Sequence, residues 1–482
     1  MRRTIRNISI CFWMVGFISF FLANSARSAT FQVGGDLRAL GEFFGNKTLN
    51  TTGSTQNTAQ LTLRALLRPK LFIADKFILV SEWSLLEPAY DEFPITITTP
   101  TFPKFLLNTV SIKGYPMGVL GSSSALKIAP FRVTELYFRW DEDVLKLHVG
   151  RQARHFGLGL IYDDGQGSVF SNFKSVVDGI ILMLPYGELE VQVGAFKNAE
   201  AFFNTELEEI THFYAQARHK QEASLLETGV FFEYVFMGER TAEGTCSGSP
   251  SARSKGGGYF IVDGYGVVYP VSKLRIMAEA AYIDGEDPFS PCASPTWNTM
   301  SAFAIEGDIS YMMPLVELGI GSGFHQGDKD GSADGKNSAF IFGHPNRFVS
   351  HMIHRVGFGQ AYTAGAAASP LSLYPYQTKP GFFLSGTGIF YIKAHGKVVL
   401  GSDWEIMAEL PIMWAQELGA PFAGRAGKFL GAELTLMVSH PWSELLNTSL
   451  FASGVLPGNF FKVGSTEAKF GYLFGFVGQI RI

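Results

Sequence analysis

Charged side chains recur at even spacings among apolar ones, and the spacing says what they could do. Arg64, Arg68 and Lys70 stand four and two residues apart, and Arg139 lies one tight turn from Lys146 and His148. Glu135, Asp178, Glu188 and Glu190 are interleaved with these bases. Further along come Glu306, Asp308, Glu317, Asp403, Glu405, Glu409 and Glu433, relieved by Lys393 and Lys469. In an extended chain, side chains at even spacing share a face. A strand that is charged on one face and aliphatic on the other suits a wall with water on one side and lipid on the other. There the charge tunes the passage of a polar solute, whereas on the lipid side it is costly. The same groups could also salt-bridge and brace the wall. The set taken as pore-lining is Arg64, Arg68, Arg139, Lys146, His148, Glu188, Glu190, Glu306, Asp308, Glu317, Asp403, Glu405 and Glu433.

Other constellations carry less. Gly327-Asp328-Lys329-Asp330-Gly331, with Asp334, offers hard oxygen donors but lacks the calcium-loop spacing and its final Glu. His344, His351 and His354 share a segment, yet no paired carboxylates or cysteines complete a metal set. His148 with Ser168, Ser171 or Ser175 could on paper form a hydrolase site, although nothing in their spacing requires it. Gly256-Gly257-Gly258 opens a strand rather than a helix, so phosphate binding of the P-loop kind is not supported. No cofactor is expected.

The elements that must hold these residues are strands. Leu136, Phe138 and Trp140 alternate with Glu135, Tyr137 and Arg139; after Asp141-Glu142-Asp143, Leu145, Leu147 and Val149 alternate with Lys146, His148 and Gly150. At the C-terminal end Phe470, Tyr472, Phe474, Phe476, Ile480 and Ile482 make one greasy face. Eighteen such segments are predicted: 30–43, 59–72, 77–86, 131–140, 144–154, 173–184, 188–198, 209–218, 224–238, 257–269, 273–284, 299–312, 315–325, 381–393, 397–410, 429–439, 444–454 and 466–482. Tight turns, among them Ala394-His395-Gly396, alternate with longer connections. The prediction is an all-β fold, a transmembrane antiparallel β-barrel of about 18 strands with short periplasmic turns and long extracellular loops.

Composition agrees. Charged residues make up 17% of the chain, low for a soluble domain, and aromatics reach 14%, which suits lipid-facing girdles. The net charge of −4 argues against a nucleic-acid partner. Arg2, Arg3 and Arg6 precede an apolar run from Ile8 to Ala23, then Ala26-Arg27-Ser28. Residues 1–28 therefore read as a secretory signal peptide, and 29–482 as a single transmembrane barrel in the bacterial outer membrane. The expected partners are outer-membrane lipid, the barrel-assembly machinery and a polar solute. Cys246 and Cys292 fall in successive long loops on one side, where an oxidising envelope favours a disulfide. Loops 87–130 and 326–380 are the candidate constriction or lid.

Gly150-Arg151-Gln152, with Phe156-Gly157 following and Asp178-Gly179 in the next strand, resembles the corresponding strand pair of alginate-export outer-membrane porins. The resemblance implies an eighteen-stranded barrel with a long pore-restricting loop, passing an anionic polyuronate through an arginine-lined constriction. The acidic residues late in the chain depart from that expectation, and Ile482 departs from the terminal Phe common in barrel-assembly signals. The sequence thus points to a porin-like channel for small polar or charged solutes, anionic sugars or polysaccharide included, and not to an enzyme. The alternatives are an outer-membrane hydrolase, which needs a triad, and a plugged transporter of hydrophobic solutes, which needs an N-terminal plug.

Overall fold

The computed structural model describes residues 29–45, 58–85, 95–97, 111–112, 132–164, 175–198, 211–221, 226–237, 257–286, 299–329, 336–340, 388–418, 426–462 and 468–482. The wall strands are β1 (Thr30–Gly45), β2 (Thr58–Ala74), β3 (Phe77–Ser84), β4 (Arg132–Asp141), β5 (Lys146–Arg154) and β6 (Ser175–Tyr186). They continue through β7 (Leu189–Asn198), β8 (Thr211–Gln221), β9 (Leu226–Met237), β10 (Gly257–Val271), β11 (Leu274–Glu286) and β12 (Thr299–Met312). The ring is completed by β13 (Val316–His325), β14 (Ile389–Leu400), β15 (Trp404–Ala415), β16 (Phe429–Pro441), β17 (Leu446–Pro457) and β18 (Gly471–Arg481). Each strand pairs antiparallel with the next, and β18 pairs with β1, with Asp36 opposite Arg481 and Gly45 opposite Tyr472. The molecule is a closed antiparallel 18-strand barrel. Closure leaves no unpaired edge for the hydrocarbon to meet.

Alternation decides which way each side chain points. On β9, Val230, Phe232, Tyr234 and Phe236 are exposed, whereas Phe231, Glu233 and Val235 between them are buried. The exposed set forms a continuous apolar outer belt, the expected lipid surface. Aromatic residues gather at both of its margins. Trp404 stacks on His440 (4.5 Å) beside Trp442 at the short-turn end, while Phe390 meets Trp414 (5.5 Å) and Phe303 meets Phe324 (5.3 Å) toward the other. At the seam, Phe476 of β18 lies over Gly41 of β1, where any Cβ would collide with its ring.

One predicted hairpin is displaced. Ala394-His395-Gly396 was expected to turn, but β14 runs straight through it and the turn is Gly401–Asp403. The outward row Phe390, Ile392, Ala394, Gly396, Val398, Leu400 is unbroken, and His395 on the inner face bonds Asp308 of β12. The predicted strands 381–393 and 397–410 therefore become 389–400 and 404–415. Short pieces were also missed: Ile95–Ile97 adds to β2 and pairs with Ser111–Ile112, and Lys336–Asn337 runs parallel to the start of β12.

Candidate functional site

The inner wall divides into two kinds of surface. Along β6–β12 it is aromatic and aliphatic: Val177, Ile181, Phe196, Tyr214, Phe231, Tyr259, Ile261 and Ile283 are all buried. They are covered from inside by the segment that follows β5, His155 to Asp164, whose Phe156, Leu160 and Ile161 are buried in the same cluster. The segment is a closed loop. The Phe156 N–H donates to the Tyr162 carbonyl (3.1 Å), and the Ser175 N–H donates to the Asp163 carbonyl (2.7 Å). Gly157 and Gly159 sit at φ 57° and 91°, which only glycine adopts cheaply.

Two wall carboxylates latch this loop. Glu279 of β11 accepts the backbone N–H groups of Leu158 and Leu160 (2.5 and 3.1 Å). Glu233 of β9, 0% exposed, accepts from the Tyr162 hydroxyl (2.8 Å), from Arg154 (3.3 Å) and from His212 Nδ1 (2.7 Å). The Arg154 guanidinium lies over the rings of Tyr214 (3.9 Å), Tyr162 (4.3 Å) and Phe196 (4.5 Å). A buried charge needs such partners, since alone it would cost several kcal/mol. Burial and the Glu233 carboxylate push the Tyr162 phenol well above its usual value, so it stays a donor. The exposed rim holds His155 and Asp163 (3.8 Å), and that carboxylate raises the imidazole above its ordinary range. A second patch lies across the ring, where Phe460 and Phe461 from the connection after β17 are buried among Leu40, Tyr391, Met413, Phe451 and Val455.

The rest of the inner wall is ionic. Arg38 of β1 stands opposite Arg64 of β2, and both are buried, with Arg68 and Lys70 following on the same face. Arg68 pairs with Glu82 (2.7 Å). The later acids carry basic partners: Glu306 with His325 (2.9 Å), Asp308 with His395 (2.5 Å), Glu317 with Arg275 (2.6 Å) and Glu405 with Lys397 (2.7 Å). Glu433 is fully buried and accepts from Thr435 (3.3 Å).

Register places Arg64, Arg68, Arg139, Lys146, His148, Glu190, Glu306, Asp308, Glu317, Glu405 and Glu433 on the inward parity of their strands. Glu188 and Asp403 are corrected: both lie in short turns below the wall, Asp403 at φ 67°. Asp178 is corrected as well. It shares the outer face of β6 with exposed Ile180 and Leu184 and pairs there with Arg151 (2.7 Å). The hydrolase arrangement is not assembled among the described residues, since His148 meets Gln152 (3.2 Å) and Ser175 Oγ accepts the Asp163 N–H (3.2 Å). Ser168 and Ser171 lie outside the described residues, as do Cys246, Cys292, Asp330, Asp334, the three loop histidines and most of 87–130 and 326–380. The inward-folded loop was missed because it has no strand period. Its signal was the apolar run Leu158 to Tyr162, out of place in a connection exposed to water.

Three crystal structures from Pseudomonas aeruginosa share this architecture. OpdL superposes with a TM-score of 0.51 at 10% identity over 94% of this chain and 98% of its own. OccK2 (OpdF) gives 0.51 at 11% identity, covering 94% and 99%, and OccK5 (OpdH) gives 0.50 at 9%, covering 94% and 98%. At such identities the likeness speaks for the closed β-barrel fold alone. No family model and no curated protein matches the sequence.

Proposed function

We propose that this chain is an outer-membrane, porin-like channel through which small polar or charged solutes diffuse, and that it is not an enzyme. The observation that carries the reading is a closed eighteen-strand wall whose outer face is apolar and whose inner face is lined by ionisable side chains. Lipid on one side and water on the other is the arrangement these faces require. The loop 155–164 narrows the bore from the β6–β12 side. Arg68 and Lys70, exposed on the inner face of β2, favour anionic solutes.

The alginate-export-like reading belongs here as a narrower form: an anionic sugar or polyuronate would follow the basic row. Residues 1–28 act as a secretory signal, the barrel-assembly machinery inserts 29–482, and Cys246 bonds Cys292.

The test is conductance of refolded protein in a planar bilayer under a salt gradient. Discrete steps with an anion-selective reversal potential are expected. Cation selectivity would remove the anionic-solute reading. Absence of steps from protein shown to be β-rich would overturn the channel.

A further inference from the structure

The two ends of the inward-folded loop carry side chains that bind metals. His155 opens the loop directly after β5, and Asp163 and Asp164 end it. One ring nitrogen of His155 and one carboxylate oxygen from each aspartate all lie within 4.8 Å of one another. His155 Nδ1 and Asp163 Oδ1 are 3.8 Å apart, beyond hydrogen-bond distance. That gap is close to the one a shared ion sets. Two ligands held tetrahedrally at about 2.0–2.2 Å from zinc stand roughly 3.4 Å from each other.

The backbone beneath these ligands is fixed. Arg154, the neighbour of His155, is buried and bonded to Glu233 (3.3 Å). The Asp163 N–H donates to Ser175 Oγ (3.2 Å), and its carbonyl accepts the Ser175 N–H (2.7 Å). A Cβ on Gly159 would stand 3.3 Å from Asp163 Cβ and 3.5 Å from its Oδ2, so the bare turn leaves that carboxyl its place. Both aspartates also have other partners. An ion takes only one lone pair from each, and metal-binding carboxylates are ordinarily hydrogen-bonded as well. His155 is exposed, which gives an ion a path from water at the long-loop end.

Donor chemistry narrows the ion. One imidazole nitrogen with two carboxylate oxygens suits zinc or a neighbouring transition metal, whereas magnesium and calcium take oxygen sets. We propose that His155, Asp163 and Asp164 bind one divalent transition-metal ion at the rim of the inward-folded loop, and that the ion ties the loop's two ends together. Glu233 and Glu279 hold the loop to the wall; the ion closes it on itself. Binding does not depend on conduction, so a silent bilayer experiment would leave it intact.

The test is isothermal titration calorimetry with zinc chloride on full-length mature protein, stripped with chelator and refolded in an uncharged detergent. A slightly alkaline buffer keeps the imidazole neutral, as a ligand must be. His155→Ala and Asp164→Asn should each weaken one zinc equivalent by about tenfold or more. Magnesium at the same concentration should not compete. Zinc at about ten times its Kd should also slow amide hydrogen exchange across 155–164 about tenfold in the parent and not in His155→Ala. Heat-modifiable gel mobility reports folding, and Asp164→Asn serves if His155→Ala fails to fold. Zinc affinity unchanged in both variants would overturn the proposal. So would equal displacement by magnesium, or the same exchange across 155–164 with and without zinc.

Discussion

The β6–β12 wall and the β1–β4 wall obey the same alternation yet do opposite work. On β9 the inward positions hold Phe231, Glu233 and Val235, all sealed beneath the 155–164 loop. On β2 the inward positions hold Arg64, Arg68 and Lys70, the last two of them exposed to the lumen. Beneath that loop the inner face is spent on packing, and the charges there are latches buried with partners. On β2, Arg68 and Lys70 stand where a passing solute can meet them. Inward parity therefore says only that a residue is inside; what covers it decides whether it braces or selects.

The largest break in this contrast should come from Glu233→Ala. It strands Arg154 and His212 in an apolar site, a loss of about 3–5 kcal/mol for a broken buried pair. Single-channel conductance should rise, and limited proteolysis should cut within 155–164. Unchanged conductance and an uncut loop would mean the latch is dispensable. Glu279→Ala comes next, leaving the Leu158 and Leu160 N–H groups without their acceptor at a cost of about 2 kcal/mol. Open-channel noise should increase while urea unfolding in vesicles shifts modestly. A variant as quiet as the parent would argue against that contact.

Gly157→Ala places a Cβ at φ 57° and within 3.0 Å of the Glu279 carboxylate, so about 1–2 kcal/mol of loop stability should go. Wild-type conductance and protease resistance in this variant would show that the loop tolerates the strain. On the other wall, Arg68→Ala should shift the reversal potential away from anions at a stability cost of about 1–3 kcal/mol, because Arg68 is 43% exposed but the Glu82 carboxylate it pairs with is only 7% exposed. An unmoved reversal potential would place selectivity elsewhere.

Smallest is a pH effect at the loop rim. Asp163 raises the His155 value in the folded protein, so the contact is fully present below the ordinary histidine value of 6.5 and is lost as pH rises through the folded value. Conductance noise should therefore increase as pH rises above 6.5 and through the folded value, and become pH-independent in His155→Ala. Equal pH dependence in both proteins would assign the effect to another group.

The strands were legible because lipid on one face and water on the other imposes period two over ten residues at a time. The exceptions have local causes. His395-Gly396 has the look of a turn, but His395 is an inner-wall partner of Asp308, and the alternation continues past it. Asp178 was assigned inward because a carboxylate on lipid is costly, although its parity with Ile180, Leu182 and Leu184 said otherwise. Glu188 and Asp403 lie just beyond strand ends, where an error of one or two residues separates wall from turn. The inward-folded loop was hidden because its order comes from Glu233 and Glu279, about 70 and 120 residues away in the chain, rather than from a local repeat.

The ring of Phe476 resting on Gly41 has a consequence for assembly. The smallest slip that keeps β1 and β18 face-correct is two residues, which would take that ring off a bare backbone and set it opposite Ala39 or Phe43. The observed register is thus the one that gives Phe476 a position without a side chain to lie against. The glycine acts as a checksum for the joint between the first strand and the last.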